Sequence, residues 1–376
     1  MNWAYQMLRN TPDVQQWVAA PWMVKNEYYD PLFRFFIRDF QQKIGIFSSH
    51  ESTLDWLSTN LIRLEKRWPL YKHWLIQQIK NDPPDVLHAH FAPVGCHYLD
   101  VAKALDIPLI VSFYGFDFQR LPFEQPTYKA RYQQLFLQAS AITTTGPFTP
   151  KLLVAQGCPA EKIRPVPLSI ALDQFTCHKR EKLPGNLRLV QIATFTEKKG
   201  HLNTLEALKR ALPKCPNLHL TFAGEYQDKA LVRKIANFIK SNNLTGSVTW
   251  LNHLPHEDLP NFLNQFEVFI HPSTSTARLD SEGSPVVILE AQANGLPIIA
   301  TTHADIPAEV LHGITGLLSP ENDAVDLARS IERFYFMEND EYQQFSVAAR
   351  QHVEQNFDIR DMGKKLLSLY SEVFKR

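Results

Sequence analysis

The sequence predicts an α/β protein of two domains, each organised on a parallel sheet. Three observations carry that expectation. At 376 residues the chain is too long for one ordinary hydrophobic core. From Asp85 onward, short apolar runs alternate with amphipathic stretches in the strand-helix rhythm of parallel sheets. The rhythm starts afresh with LRLVQIAT at Leu187, after a polar, proline-containing stretch over 176–185 that reads as a linker.

Composition narrows the function classes. With 44% hydrophobic and 21% charged residues the chain is ordinary for a globular protein, and 39 basic against 39 acidic residues give no electrostatic case for a nucleic-acid partner. No apolar run approaches the roughly 18 residues that suggest a membrane span, and residues 1–20 lack a signal-peptide core. A cytoplasmic protein is expected, with peripheral contact at the inner face of the membrane as the further expectation. Cys96, Cys158, Cys177 and Cys215 match neither a zinc spacing nor a disulfide framework and read as free thiols.

The first eighty residues hold six of the seven tryptophans. Residues 15–24 are the first plausible strand, and 32–40 places Phe33, Phe36, Ile37 and Phe40 at helical spacing. A helix over 54–80 carries Arg63, Lys66, Arg67 and Lys72. Basic, aromatic helices of this kind mostly pack on a core with a solvated side; lying on a membrane surface, where a lipid-linked acceptor is found, is the second reading. DVLHAHFAPVG is a strand entering a Pro/Gly loop, with His88 and His90 in alternation and His90 nearer the loop. A helix over 96–105, a strand over 108–113, the turn 114–117, a helix over 126–140, a strand over 141–145 and a helix over 147–156 follow.

In the second half, Lys199-Gly200 at a strand-to-helix turn puts an ammonium beside free backbone N–H groups, a suitable diphosphate site. Strands LHLTFAGE, SVTWLNHLP and EVFIHPSTS and a helix over 229–241 lead to the stretch 280–316. There Ser284 is a good N-cap, Pro285 a good first residue and Gly295 a stop, so a helix over 285–294 is expected, then a strand over 298–301 and a loop at 305–307 that starts a helix near Ala308. An amphipathic helix over 357–376 closes the chain. Glu282 lies just before the first of these helices and Glu290 inside it. Carboxylates repel phosphate but accept hydrogen bonds from hydroxyls, and a ligand carrying both phosphate and hydroxyls is a nucleotide sugar. The plainer alternative is a solvated helix residue and a first-turn charge that complements the helix dipole.

Glu282 and Glu290 form an E-x7-E segment, flanked by HPST upstream and HGITGLL downstream, with HAHF and FYGFD in the first half. This set resembles the retaining glycosyltransferases of family four (group 1), similar to those of capsular and colanic-acid-type exopolysaccharide synthesis, and the likeness runs with gaps over most of the chain. It implies the GT-B fold, two facing Rossmann-like domains with a central cleft: an acceptor-side domain over 1–175, a nucleotide-sugar domain over 186–356, and a helix over 357–376 returning to the first. That fold usually opens on a strand and a glycine-rich turn, whereas MNWAYQMLRN reads as the helix after such a turn and no glycine precedes Gly45, so the first strand is expected to be missing or replaced.

The resemblance assigns catalytic roles to Glu282, on the transferred sugar, and to Lys199, His90 and Tyr114. Donor-binding roles fall on Glu290, at the ribose, and on Gly283, Ser284, Pro285, Thr194, Gly224 and Leu254. Departures are Tyr114 where many relatives carry a histidine, Thr194 where an arginine is usual, and Ser169 and Ala171 where glycine and aspartate are common. The implied activity is retaining, metal-independent transfer of a hexose from a nucleotide sugar such as a UDP- or GDP-sugar to a glycan or lipid-linked acceptor, with no bound cofactor. Two rivals stay open: a non-catalytic subunit that scaffolds a partner, and a nucleotide-sugar epimerase. A pyridoxal-phosphate phosphorylase finds no cofactor-lysine segment.

Overall fold

The structure, a computed structural model, describes residues 2–11, 14–20, 34–37 and 53–375. Its strands are β1 (Trp17–Ala20), β2 (Arg34–Ile37), β3 (Leu87–His90), β4 (Leu109–Phe113), β5 (Ala141–Thr144), β6 (Ile163–Pro165), β7 (Leu187–Ile192), β8 (Leu218–Ala223), β9 (Val248–Leu251), β10 (Val268–His271), β11 (Ile298–Thr301) and β12 (Gly316–Ser319). Every pairing between them is parallel. The chain divides into two units, one of Met1–Thr144, Pro150–Val166 and Arg360–Arg376, the other of Thr145–Thr149 and Pro167–Ile359.

In the first unit, β3 to β6 pair in sequence order, and β1 pairs with β2 in a separate ribbon. The stretch expected as a helix over 32–40 contains β2 instead. RFFI aligns with WVAA from Trp17↔Arg34 to Ala20↔Ile37, Phe36 is buried against the Trp17 ring 5.2 Å away, and the Tyr71 hydroxyl donates to the Phe36 carbonyl at 3.0 Å. Phe35, Phe36 and Ile37 are consecutive apolar residues in too short a run for spacing to tell helix from strand, and pairing decides. Phe33, Phe40, Trp22 and the end of the strand expected over 15–24 lie outside the described residues.

The helix Thr53–Ile79 turns Trp68, Tyr71, Leu75 and Ile79 into the core. The next helix, Ala92–Leu105, begins four residues before the expected 96. Phe91 takes a left-handed φ of 72°, Pro93 occupies the first turn, and the Asp117 carboxylate accepts the Ala92 N–H at 3.1 Å, so the Pro/Gly segment starts the helix rather than preceding it. Residues expected as one helix over 126–140 form Thr127–Gln138, preceded by a short helix Arg120–Glu124. The C-terminal helix Ile359–Phe374 lies in the first unit beyond Ile359, and its Leu369 and Val373 cover Ile110 and Ala141.

The second unit has strand order β12-β11-β10-β7-β8-β9. The chain runs outward from β7 to β9, then returns to the other side of β7 and runs outward again, so the order reverses between β7 and β10. The helix after β7, His201–Ala211, packs Leu205 and Leu208 into one apolar layer, and the helix after β10, Val286–Ala293, packs Ile288 and Leu289 into the opposite layer. The unit begins at Pro167, because Ile170 bridges Asp358 and Leu172 and Phe175 join its core.

The stretch over 176–185 is tied down rather than free. Lys182 is 2% exposed, with its ammonium on the Tyr335 and Met337 carbonyls, and Arg180 donates to the Asn294 and Phe266 carbonyls. Among the described residues no helix is long and apolar enough to cross a membrane, and all four cysteines are free.

Candidate active site

In an open parallel sheet the loops after the two strands flanking the reversal diverge and leave a crevice at the carboxyl edge. Here those strands are β7 and β10. The loop after β7 carries Thr194 and Lys199, and the loop after β10 carries Glu282, Gly283, Ser284 and Pro285. Gly200 has φ +69°, and a Cβ there would stand 2.0 Å from the Pro272 carbonyl oxygen, so the two loops touch only because this residue is glycine. Gly224, at the end of β8 with φ +147°, is equally constrained, its Cβ position lying 2.0 Å from the Ala193 oxygen.

That approach brings the Lys199 ammonium to 2.6 Å from Glu282 Oε1, both side chains largely buried at 15% and 10% exposure. Lys198 lies 3.9 Å from the same oxygen and pairs with Asp280 at 3.2 Å. Burial pushes the Glu282 carboxyl up, but Lys199 and then Lys198 outweigh it and hold the group well below the usual carboxylate range. His271, at the end of β10 and fully buried, is pushed down to about 3 by burial and by Lys199. The crevice floor therefore carries ionised Glu282 beside a neutral imidazole.

The backbone of Glu282 is also held. Its N–H donates to His303 Nε2 at 3.0 Å, and His303 Nδ1 lies 2.7 Å from Glu321 Oε1. Ser284 does not cap the helix that follows: Pro285 is the N-cap, and the Ser284 hydroxyl bonds Glu309. Glu309 lies in the short helix Ile306–Glu309 and is fully buried, and burial raises its carboxyl well above the usual range. The acid takes the hydroxyl, and the helix amides are left without a Ser284 cap. Glu290, midway along Val286–Ala293, is 8% exposed and bonds His256 Nε2 at 2.8 Å. That bond lifts the His256 imidazole above its ordinary value against the effect of burial. Leu254 packs on the apolar layer beneath this helix.

His90 and Tyr114 lie in the first unit, at the carboxyl ends of β3 and β4, and bond each other through His90 Nδ1 and the phenol at 2.6 Å. His88 and His90, two residues apart, share one face of β3 with ring centroids 4.6 Å apart. His88 Nε2 meets the Ser112 hydroxyl at 2.7 Å and its Nδ1 the Tyr370 hydroxyl at 2.8 Å, and Ser112 bonds Thr143. Burial lowers both imidazoles, His90 to about 4, and raises the Tyr114 phenol. Asp117 accepts the Tyr114 and Gly115 amides at 3.0 and 2.9 Å, which fixes the turn.

Nine of the eleven residues singled out from the sequence thus fall in the second unit and two in the first. His303, Glu321, His256, Asp280 and Glu309 were missed, whereas Lys198 is one of the cations, with Arg278, that the sequence offers in place of the arginine usual at Thr194. His303 and Glu321 each stand two residues beyond a strand end, a position that in a parallel sheet marks the same edge, and that signal was available.

Comparison with known proteins gives the family. The sequence family described as Glycosyl transferases group 1 matches residues 174–352, and a Glycosyl transferase 4-like domain matches residues 50–169. The amylovoran biosynthesis glycosyltransferase AmsK of Erwinia amylovora is 31% identical over 276 residues, spanning 73% of this chain and 67% of the relative. The chain belongs to the group 1 glycosyltransferases. As a glycosyltransferase it is related to exopolysaccharide enzymes: WcaL of Salmonella typhimurium, a putative colanic acid biosynthesis glycosyltransferase, is 29% identical over 77% of this chain and 71% of its own length. Its fold is GT-B. Sucrose-phosphate synthase of Thermosynechococcus elongatus superposes with TM-score 0.79 at 18% identity, covering 99% of this chain and 92% of the other. HepE of Anabaena, solved with UDP and glucose, gives TM-score 0.75 at 15% identity over 98% and 95%.

Proposed function

We propose that this glycosyltransferase moves a hexose from a nucleotide sugar, with retention of anomeric configuration, to a hydroxyl of a glycan or lipid-linked acceptor in the making of cell-surface polysaccharide. The Lys199–Glu282 pair at the sheet reversal carries the reading. A diphosphate arriving at Lys199 and the amino end of the helix His201–Ala211 replaces Glu282 as the partner of the ammonium. The released carboxylate then accepts hydrogen bonds from the transferred sugar. Glu290, with His256 on one oxygen, takes the ribose hydroxyls.

As the glycosidic bond breaks, charge grows on the leaving diphosphate, where Lys199 and the helix terminus are already in place to stabilise it. The acceptor attacks from the face that the leaving group vacates, its proton passing to the departing phosphate. These positive groups act on the phosphate directly, so the reaction needs no metal, and full activity in EDTA is expected. HepE was solved with UDP, and a Corynebacterium glutamicum mannosyltransferase 29% identical over 46% of this chain is named as GDP-mannose-dependent, so UDP- and GDP-sugars are the donors to try.

Thermal-shift measurements against UDP-, GDP-, ADP- and dTDP-sugars test the donor, since a ligand at a hundred times its Kd adds about 2.7 kcal/mol of stability. NMR of the product tests its anomeric configuration. An inverted product, or no shift with any donor, would sink the reading. Peripheral contact with anionic lipid belongs to the same proposal; Leu70, 65% exposed on the helix Thr53–Ile79 next to exposed Lys66, supports it. Co-sedimentation with phosphatidylserine vesicles that falls with added salt is the expected result.

A further inference from the structure

The Glu282 backbone is held by a second set of groups that the proposed reaction does not itself use. His303 is 1% exposed and lies in the loop just beyond β11. Its Nε2 accepts the Glu282 N–H at 3.0 Å and so carries no proton; the ring is neutral, with its proton on Nδ1, donated across 2.7 Å to Glu321. Glu321 stands beyond β12, and its other oxygen accepts the Ser275 amide at 2.7 Å and lies 3.2 Å from the Thr274 hydroxyl, which also meets Asn322 Oδ1 at 3.1 Å. Thr274 in turn donates its amide to the Lys198 carbonyl at 2.9 Å. One carboxylate thereby joins the loops after β10, β11 and β12, and through Thr274 reaches the loop after β7.

The Glu282 carboxylate is held by two lysines on four-carbon stems, which act on the side chain and leave the main chain of the residue to other partners. The imidazole is rigid and buried, and it grips the main chain at the residue itself.

We infer that His303 and Glu321 are positioning residues of the transfer reaction: Glu321 fixes the Nδ1–H tautomer of His303, and His303 anchors the Glu282 main chain so that its carboxylate reaches the sugar. This rests on the reading of Glu282 as the group that meets the transferred sugar. A side chain that holds the reacting geometry contributes to kcat, because a displacement of about 1 Å can cost about a hundredfold in rate.

Histidine-labelled protein, with the His303 resonances assigned by their loss in His303→Gln, should show a neutral ring protonated at Nδ1. An Nε2–H ring or an imidazolium overturns the inference. Kinetics on whichever of UDP-glucose and GDP-mannose is turned over should show His303→Phe lowering kcat ten- to a hundredfold, with KM within threefold. His303→Gln, which restores an acceptor to the Glu282 amide, should recover most of that loss. Equal losses in both variants, or a rise in KM matching the fall in kcat, reduce the residue to a packing role. With no sugar present, exchange of the Glu282 amide should quicken about tenfold in the Phe variant and stay slow in the Gln variant, and equal exchange in the two overturns the tether. Native kcat in Glu282→Gln would instead defeat the underlying reading of Glu282, while the tautomer and exchange results would still report on the tether.

Discussion

In the second unit the carboxyl ends of β7 and β10 set ammonium against carboxylate, whereas in the first unit the ends of β3, β4 and β5 gather uncharged imidazole and hydroxyl groups, the one acid there, Asp117, being taken up by backbone amides. Lys199, Lys198, Glu282 and Asp280 make up the first set. His88, His90, Ser112, Tyr114, Thr143 and Tyr370 make up the second. A nearly buried charge persists only beside its counter-charge, so the ionic edge is poised to exchange partners with a charged ligand. The neutral edge offers hydrogen bonds without attracting phosphate. Each edge suits a different half of the reaction proposed above, the ionic one the diphosphate leaving group and the neutral one a sugar hydroxyl.

The comparison breaks most readily at Glu282. Glu282→Gln should lower kcat by about a hundredfold or more, the size seen when a group that stabilises a transition state is lost. Tyr114→Phe, which removes one neutral hydrogen bond from the other edge, should cost about tenfold at most. Equal losses in steady-state kinetics would erase the distinction.

An effect of comparable size, read in stability rather than rate, separates charge from shape. Lys199→Ala leaves a nearly buried carboxylate with only Lys198, 3.9 Å away, and should cost about 3 kcal/mol in chemical denaturation. The double variant Lys199→Met, Glu282→Gln should recover more than half of that, because it strands nothing.

Acid sharpens the contrast further. His201 is 1% exposed, its ring stacked on Phe195 at 4.4 Å, and burial together with Lys199 pushes it down to about 3. Its folded value lies below the unfolded one near 6.5, so the unfolded chain takes up the proton first. The contribution is complete above about pH 6.5 and is lost as pH falls toward the folded value. Glu309 and Asp305, raised by burial, shift stability the other way over part of this range, so the histidine has to be isolated by substitution. Between pH 7 and pH 5, urea unfolding of the native chain should lose about 1–2 kcal/mol more than that of His201→Phe. Parallel curves would show that His201 is not held neutral.

The smallest effect belongs to His256, which is 41% exposed and raised by Glu290. Its raised value means the pair contributes below about pH 6.5 and fades as pH rises through the folded value. With solvent screening, His256→Ala should cost under about 1 kcal/mol at pH 6 and nothing measurable at pH 9.

The fold was legible wherever strands alternate with helices, because burial on both faces of a parallel sheet leaves continuous apolar runs such as LRLVQI and VFIH. The expected helix over 229–241 is the observed Lys229–Ser241 to the residue, since Asp228 caps it by accepting the Ala230 and Leu231 amides. Ser284 misled for the opposite reason: its local sequence is that of a cap, but a buried acid twenty-five residues further on claims the hydroxyl. The E-x7-E segment stood out in the sequence because it combines helix punctuation with acidic residues. Its anchors did not, because His303 and Glu321 act across loops, and their one local mark is a place two residues beyond a strand end. RFFI failed as a helix because its partner WVAA lies seventeen residues away in the chain.

The helix Ile359–Phe374 sets the order in which the molecule can be completed. Leu369, Tyr370 and Val373 cover Ile110 and Ala141 and hold His88, so the first unit lacks part of its core until this helix has been translated. The second unit, Ile359 included, is whole before then. The half whose synthesis begins first is therefore the half whose core is completed last, and until residues 360–376 have been made its sheet carries an uncovered apolar face.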